Sequence, residues 1–264
     1  MRDQFDRDGF VVVPTGVPEE TLRAATLADG PLQPKEYHWN PAGRRVFEGW
    51  KSSQAVRDIA YAPALVSALH EVADHPVRPF QTINFDRGSA QRAHADLIHF
   101  DSRPAGQIVG AWVALEDIHL DSGPLFIVPG SHGAERVDFE TLGLPPAEVG
   151  QQYEEYRLYE DAVERLIEAR GWARVPMLLR AGQAVVFGGG LLHGGMPIAD
   201  PERTRYSVAI HYFAGRMEYA FAPMFGTAEK PYRKSMRWFD RAGQSHPWER
   251  NRVRPMISYG SPSG

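Results

Sequence analysis

From Val77 to Ala214 the chain is a series of short apolar segments cut by glycine, proline and charge, and this punctuation leaves few folds open. Residues 77–86 (VRPFQTINFD), 107–115 (QIVGAWVAL), 124–128 (PLFIV), 174–179 (RVPMLL), 183–187 (QAVVF) and 205–214 (RYSVAIHYFA) are rich in β-branched and aromatic side chains. Short strands with such boundaries predict an antiparallel sandwich or barrel. At this strand count a two-sheet jelly roll leaves the fewest free edges. A further strand is expected over Gly9–Pro14, and helices over 18–28, 62–73 and 152–170, the last with Tyr156, Tyr159, Val163 and Leu166 or Ile167 on one face. The expected fold class is mainly β, a jelly-roll core with flanking α-helices.

At 264 residues the chain can bury a large core. We expect one domain over 1–264. Its parts are a β core at about 77–215, a helical N-terminal part at 1–76, an insertion at 151–170 and a C-terminal tail at 230–264. The tail carries Lys230, Arg233, Lys234, Arg237 and Arg241 among other cations. It reads as a solvated helix with a loose end, or as a lid meeting an anionic substrate or a partner subunit. The net charge of −4 gives no reason to expect nucleic acid as a partner. No apolar run reaches a membrane-spanning length, and the charged start MRDQFDRDGF does not resemble a signal peptide, so a cytoplasmic protein is expected.

There is no cysteine, so disulfides, thiolate metal sites and a cysteine nucleophile are out, and any metal must be held by His, Asp or Glu. The segment Gly88–Pro104 supplies two such pairs, His94-Ala-Asp96 and His99-Phe-Asp101. On extended backbone, residues two apart point to the same side, so either pair can grip one ion. His193, among glycines just after an apolar strand, is the best third ligand. Two His and one carboxylate with open positions form the facial triad of non-haem Fe(II) oxygenases. Twelve residues on, Arg205 opens an alternating strand with Ser207, Ala209 and His211 on its face. A guanidinium turned into a barrel needs an anion, and 2-oxoglutarate offers a carboxylate to its fork. Arg203 reads instead as a surface partner of Asp200 or Glu202.

Four co-linear motifs add to this. Phe5 to Val13 (FDRDGFVVV), His94 to Phe100, Trp112-VALED with Ser122-GPLFIVPGSH, and His193 to Tyr212 together resemble the phytanoyl-CoA dioxygenase family of Fe(II)/2-oxoglutarate-dependent oxygenases. The resemblance implies a double-stranded β-helix, cupin-like, with Fe(II) as metal and 2-oxoglutarate and O2 as co-substrates. The family places its metal HxD about sixteen residues before the Trp of W-x-A-L, the separation of Asp96 from Trp112. It therefore implies the ligands His94, Asp96 and His193. It also implies Arg205 as clamp for the distal carboxylate of 2-oxoglutarate, Trp112 as pocket wall and Asn84 as a polar contact.

Two departures are visible. Gly195 stands where the family often has Ser, and the His193-to-Arg205 interval is one residue longer than the family pattern. With Asp96 present, halogenation is disfavoured.

His99 and Asp101 become substrate-facing candidates beside His38 and Trp39, with Gln33, Tyr37, Trp50, Arg103 and 151–170 at the rim. These residues, with Glu116, suit a hydroxyl-rich or amine-bearing small molecule, such as a sugar-containing natural-product intermediate, undergoing hydroxylation or oxidative cyclisation. Two other readings remain: a Zn(II) hydrolase using His94, Asp96 and His99, and a non-catalytic ligand-binding barrel.

Overall fold

The structure, a computed structural model, describes residues 1–30, 43–133, 136–215 and 217–248. His38 and Trp39, with Gln33 and Tyr37, lie outside them. The chain opens with α1 (Arg2–Asp8), β1 (Phe10–Pro14), α2 (Glu19–Ala25), β2 (Arg45–Phe47), α3 (Gln54–Ala60) and α4 (Pro63–Ala73). There follow β3 (Val77–Phe85), β4 (Asp101–Arg103), β5 (Ile108–Ala114), β6 (Leu125–Ile127), α5 (Tyr153–Arg170), β7 (Val175–Pro176), β8 (Gln183–Gly188), β9 (His193–Gly195) and β10 (Ser207–Ala214). The last elements are β11 (Tyr219–Phe221), β12 (Arg233–Lys234), β13 (Arg237–Phe239) and β14 (Ser245–Pro247).

The architecture is the expected mainly-β one. Six antiparallel strands form the large sheet in the order β1-β8-β5-β10-β3-β2, and β7-β6-β9 form a smaller one. Period-two alternation sorts the large sheet's side chains between two cores. Val109, Ala111 and Val113 of β5, Ala184 and Val186 of β8, and Val208, Ile210 and Tyr212 of β10 pack with Leu22, Val56, Ile59, Leu65 and Leu69 of the helices. Trp112, Val185 and Phe187 face the other way, against Leu125 and Ile127 of β6. Burial of one such side chain stabilises by roughly 1.5–3 kcal/mol. Both faces of β5 are covered, and all seven of its residues are buried.

Two boundaries differ from expectation. The N-terminal part is not only helical: β1 and β2 are the edge strands of the large sheet, so the β core extends beyond 77–215. The first part of the basic tail is strand, not helix. β12 joins β11 and β4, and β13 pairs with β14. Its anchor is Phe239, fully buried and stacked on Trp50 at 4.5 Å between ring centroids. A burial of that size outweighs the solvation of the flanking cations, which remain at the surface. Among the described residues no helix is long and apolar enough to cross a membrane.

Candidate metal centre

The backbone brings the two histidines together. His94 N–H donates to His193 O at 2.9 Å and His193 N–H to His94 O at 3.0 Å, so the two residues form an isolated antiparallel bridge. Such a doubly bonded pair fixes both Cα positions. Ala95 is extended (φ −111°, ψ 136°), which keeps Asp96 on the side of His94 as the two-residue spacing required. The approach depends on glycine at 194 and 195. A Cβ on Gly194 would lie 2.8 Å from Gln91 O, and one on Gly195 2.9 Å from Ala90 N.

Helix α5 holds this segment from outside. Ala95 N–H donates to the Tyr159 hydroxyl at 3.1 Å, Ala93 N–H to Glu164 Oε1 at 3.3 Å, and Arg92 pairs with Asp161 at 2.6 Å. The insertion thus serves as a brace for the ligand segment.

His94, Asp96 and His193 are buried, and one ligand atom from each lies within 4.8 Å of the others. Asp96 Oδ1 is 3.7 Å from His94 Nε2 and 3.6 Å from His193 Nε2. The two Nδ1 atoms lie 3.0 Å from the carbonyls of Arg92 and Leu191 respectively. A carbonyl only accepts, so each Nδ1 carries the proton and each Nε2 offers a lone pair towards the common centre. Burial and the neighbouring His193 lower His94 to about 3, which keeps its imidazole neutral. Burial alone would raise the Asp96 carboxyl, but His193, His211 and His94 hold it below its ordinary range. The three donor atoms are therefore convergent, as a divalent ion requires.

Two cavities meet at this face and share Arg45, Ile83, Gln91, His94, Asp96 and His211. The first, about 60 Å³, is lined also by Ser89, Trp112 and Arg205. Arg205 is 2% exposed. Its Nη1 donates to Gly123 O at 2.9 Å, its guanidinium lies 5.3 Å from the Phe85 ring and 5.5 Å from the Trp112 ring, and its Nε has no hydrogen-bond partner among the described residues. Burial and the nearby Arg45 lower it to about 9, so it stays a cation at neutral pH. A buried guanidinium on the wall of this pocket is chemically suited to an anion. Arg203, in contrast, is an exposed partner of Asp200 at 3.4 Å. The second cavity, about 190 Å³, contains His99, Tyr156 and Lys234.

Several expected contacts fail. Asn84 points to the helical face of β3, where its Nδ2 donates to Ala25 O at 3.2 Å; Ile83 and Phe85, one position to either side, face the cavity. Asp101 is turned away from the metal face and is held by Arg136 and by Ser102 N–H. Trp50 packs on Phe239, and Glu116 accepts from Thr204 Oγ1 and Tyr206 N–H. His99 does reach the second cavity but not the cluster of three, so the zinc triad of His94, Asp96 and His99 is not assembled. Sequence reasoning missed Arg45, Ser89 and Gln91. Arg45 stands on a three-residue strand without a period, and Ser89 and Gln91 lie in a loop whose course local pattern does not set.

A buried face of two histidines and one carboxylate between the sheets of a jelly roll is the arrangement of a non-haem Fe(II) oxygenase. The phytanoyl-CoA dioxygenase (PhyH) model matches residues 5–203, and the chain belongs to this family of Fe(II)/2-oxoglutarate-dependent dioxygenases. It is 30% identical over 210 residues to an ectoine dioxygenase of Nocardia farcinica, covering 72% of this chain and 69% of that one. The fold is similar to the non-heme alpha ketoglutarate dependent carbocyclase SnoK from nogalamycin biosynthesis, with a TM-score of 0.63 at 16% identity over 85% of this chain and 86% of that one. It is similar also to the epimerase SnoN in complex with Fe3+, alpha ketoglutarate and nogalamycin RO, with a TM-score of 0.60 at 24% identity over 84% of each chain.

Proposed function

We propose that His94, Asp96 and His193 hold Fe(II), that Arg205 clamps the distal carboxylate of 2-oxoglutarate against the Trp112 wall, and that the chain oxidises a polar small molecule in the adjoining cavity. The observation that carries this reading is the open edge of the buried Arg205 guanidinium in the same cavity as the three ligand atoms. When bound, the iron with 2-oxoglutarate and O2 supplies the oxidant for an unactivated C–H bond, with release of succinate and CO2.

The chain's own residues set the conditions. The Nδ1–carbonyl bonds orient both imidazoles, and His211 holds the outer oxygen of Asp96. Arg205 fixes one end of the co-substrate by charge and fork geometry. Phe187, Leu125 and Trp112 line the first cavity with apolar surface, which limits water at the reacting centre. Ser89 takes the part that a serine at 195 has in relatives, because its Oγ lies 2.9 Å from where a Cβ at 195 would stand.

The substrate sits in the cavity of His99 and Tyr156, beside the metal face. Sugar-containing natural-product intermediates remain the favoured class, undergoing hydroxylation or oxidative cyclisation. Relatives named as a dioxygenase, a carbocyclase and an epimerase support a scaffold open to several outcomes.

The test is an anaerobic titration with Fe(II) and then 2-oxoglutarate, read as a visible metal-to-ligand charge-transfer band. The band forms in the wild type, is lost in His94→Ala and His193→Ala, and weakens in Arg205→Met. A folded, metal-loaded protein that shows no band would falsify the reading.

A further inference from the structure

The charged groups on the walls of the larger cavity already have contacts. Lys234 lies 4.2 Å from the Phe100 ring and donates to His99 O at 3.3 Å, and Arg45 lies 5.1 Å from the Phe85 ring. Asp96 turns one oxygen to the two imidazoles and the other to His211. Phe47, Phe100 and Phe225 add ring surface. The polar groups left to meet a ligand include two neutral primary amides, Gln81 and Gln91.

The local backbone aims both amides. Alternation puts Gln81 on the face of Ile83 in β3, opposite His211 of β10. Among the described residues its side chain makes no hydrogen bond. Gln91 is 8% exposed and lines both cavities. Its carbonyl accepts from Gly195 N–H at 2.7 Å, which fixes its Cα beside the ligand segment. Its Nε2 donates to the Tyr156 hydroxyl at 3.0 Å and lies 3.3 Å from His94 Nε2. Because His94 carries its proton on Nδ1, its Nε2 only accepts, and this sets the amide with NH2 towards His94. The Gln91 Oε1 is left to accept. A metal on His94 takes the same lone pair, so the N–H beside it is then offered to the cavity. Both amides therefore present a donor together with an acceptor.

This complement discriminates between ligands. A carboxylate only accepts and an ammonium only donates, so either one leaves half of each amide without a partner. A hydroxyl does both. One amide can accept from one hydroxyl of a vicinal pair and donate to its neighbour, while the phenylalanine rings cover the C–H surface of the ring that carries them. We propose that Gln81 and Gln91 determine the specificity of this cavity and select a neutral ring with vicinal hydroxyls, Gln91 holding the hydroxyl nearest the metal face. The inference rests on the proposed function, since it assigns this cavity to the substrate. At about 190 Å³ the cavity is smaller than the roughly 300–1,000 Å³ of pockets for drug-sized ligands, so it takes one ring of a larger molecule or a small molecule whole.

The experiment uses the full chain loaded anaerobically with Fe(II) and saturating 2-oxoglutarate, with the charge-transfer band as report of the loaded centre. Four probes with the same six-membered ring are titrated: vicinal cis-cyclohexanediol, cyclohexanol, cyclohexanecarboxylate and cyclohexylammonium. Binding is read from the perturbed band and from Tm. The diol should bind about 2–10-fold more tightly than cyclohexanol, the net worth of one added hydrogen bond. The carboxylate and the ammonium should bind no better than cyclohexanol. In Gln81→Leu and Gln91→Leu the band should persist while the ratio of diol to cyclohexanol affinity falls towards one. A merely structural role would weaken all four probes alike and leave that ratio unchanged. No preference for the diol, tightest binding of the carboxylate or the ammonium, or a ratio that survives in either variant overturns the inference and leaves the metal reading in place. Loss of the band in Gln91→Leu alone makes Gln91 a support of His94 and overturns its assignment to the substrate. Absence of the band in the wild type overturns both readings.

Discussion

His211 Nε2 lies 3.1 Å from Asp96 Oδ2, and the contact crosses from β10 to the ligand segment. A carboxylate only accepts, so His211 donates through Nε2, and its buried Nδ1 has no partner among the described residues. The bond turns the other oxygen of Asp96 towards His94 and His193. Partners of this kind are worth about 10–100-fold in metal affinity. His211→Leu should therefore weaken Fe(II) binding by about that factor in an anaerobic titration, while His211→Gln, which keeps a donor, recovers part of the loss. Equal affinity in wild type and His211→Leu would show that Asp96 is held by other means.

Arg205 should separate binding from stability. Its guanidinium is buried against two aromatic rings with no carboxylate partner among the described residues. Arg205→Met should cost on the order of 10²–10³-fold in 2-oxoglutarate affinity, as expected when one partner of a buried charge pair is removed. Without 2-oxoglutarate the same variant should be as stable as the wild type or more so, because a flexible apolar chain replaces an unpaired buried charge. Arg205→Lys keeps the charge but loses the fork, and its affinity should fall between the two. Calorimetric titration and urea unfolding measure the two effects separately.

The strands with strong period-two patterns were readable in the sequence almost to their ends, as was the inward turn of Arg205, because alternation is a local property. Ligand spacing alone left two pairs open, His94 with Asp96 and His99 with Asp101, and the family resemblance chose between them. Asn84 shows where local rules stop: alternation puts it on one face of β3, but which face meets the metal depends on the register against β10. Asp101 was lost to Arg136, a partner supplied by another part of the chain. The basic stretch after Lys230 gave a charge signal that hid one buried residue, Phe239, and that residue decides where the segment lies.

Glu160 should give stability a slope with pH. It is almost fully buried on α5, and its Oε1 has no hydrogen-bond partner among the described residues. Burial raises its carboxyl from 4.5 to about 7, partly offset by Arg92 and reinforced by Asp161 and Glu164. Between about pH 4.5 and 7 the folded protein keeps a proton that the unfolded chain has released, so stability falls as pH rises through that window. The whole change is about 3 kcal/mol if no other group compensates. Glu160→Gln should flatten the slope and be more stable than the wild type at pH 8. Urea midpoints at pH 5 and pH 8 for both proteins measure it, and parallel slopes would remove Glu160 as the cause.

Gly195 sets the family pattern against this chain's own packing. Resemblance alone suggests that Gly195→Ser would restore a hydroxyl near the co-substrate and tighten its binding. The geometry predicts the reverse. A Cβ at 195 would stand 2.9 Å from Ala90 N, 2.9 Å from Ser89 Oγ and 3.1 Å from Gln91 N. Two of these are backbone atoms of the loop that leads into His94, and Gly195 N–H itself donates to Gln91 O at 2.7 Å. The loop has to shift, at a cost typical of overpacking, about 1–3 kcal/mol. Gly195→Ser should melt earlier and bind 2-oxoglutarate more weakly. Ser89→Ala, which adds no atom to the loop and loses only the long bond from Gln91 N–H to Ser89 Oγ at 3.4 Å, should lower 2-oxoglutarate affinity and shift the melting temperature less than Gly195→Ser does. If Gly195→Ser instead binds more tightly at unchanged stability, the loop at 89–91 yields more easily than its hydrogen bonds imply, and Ser89 is not the substitute for the missing serine.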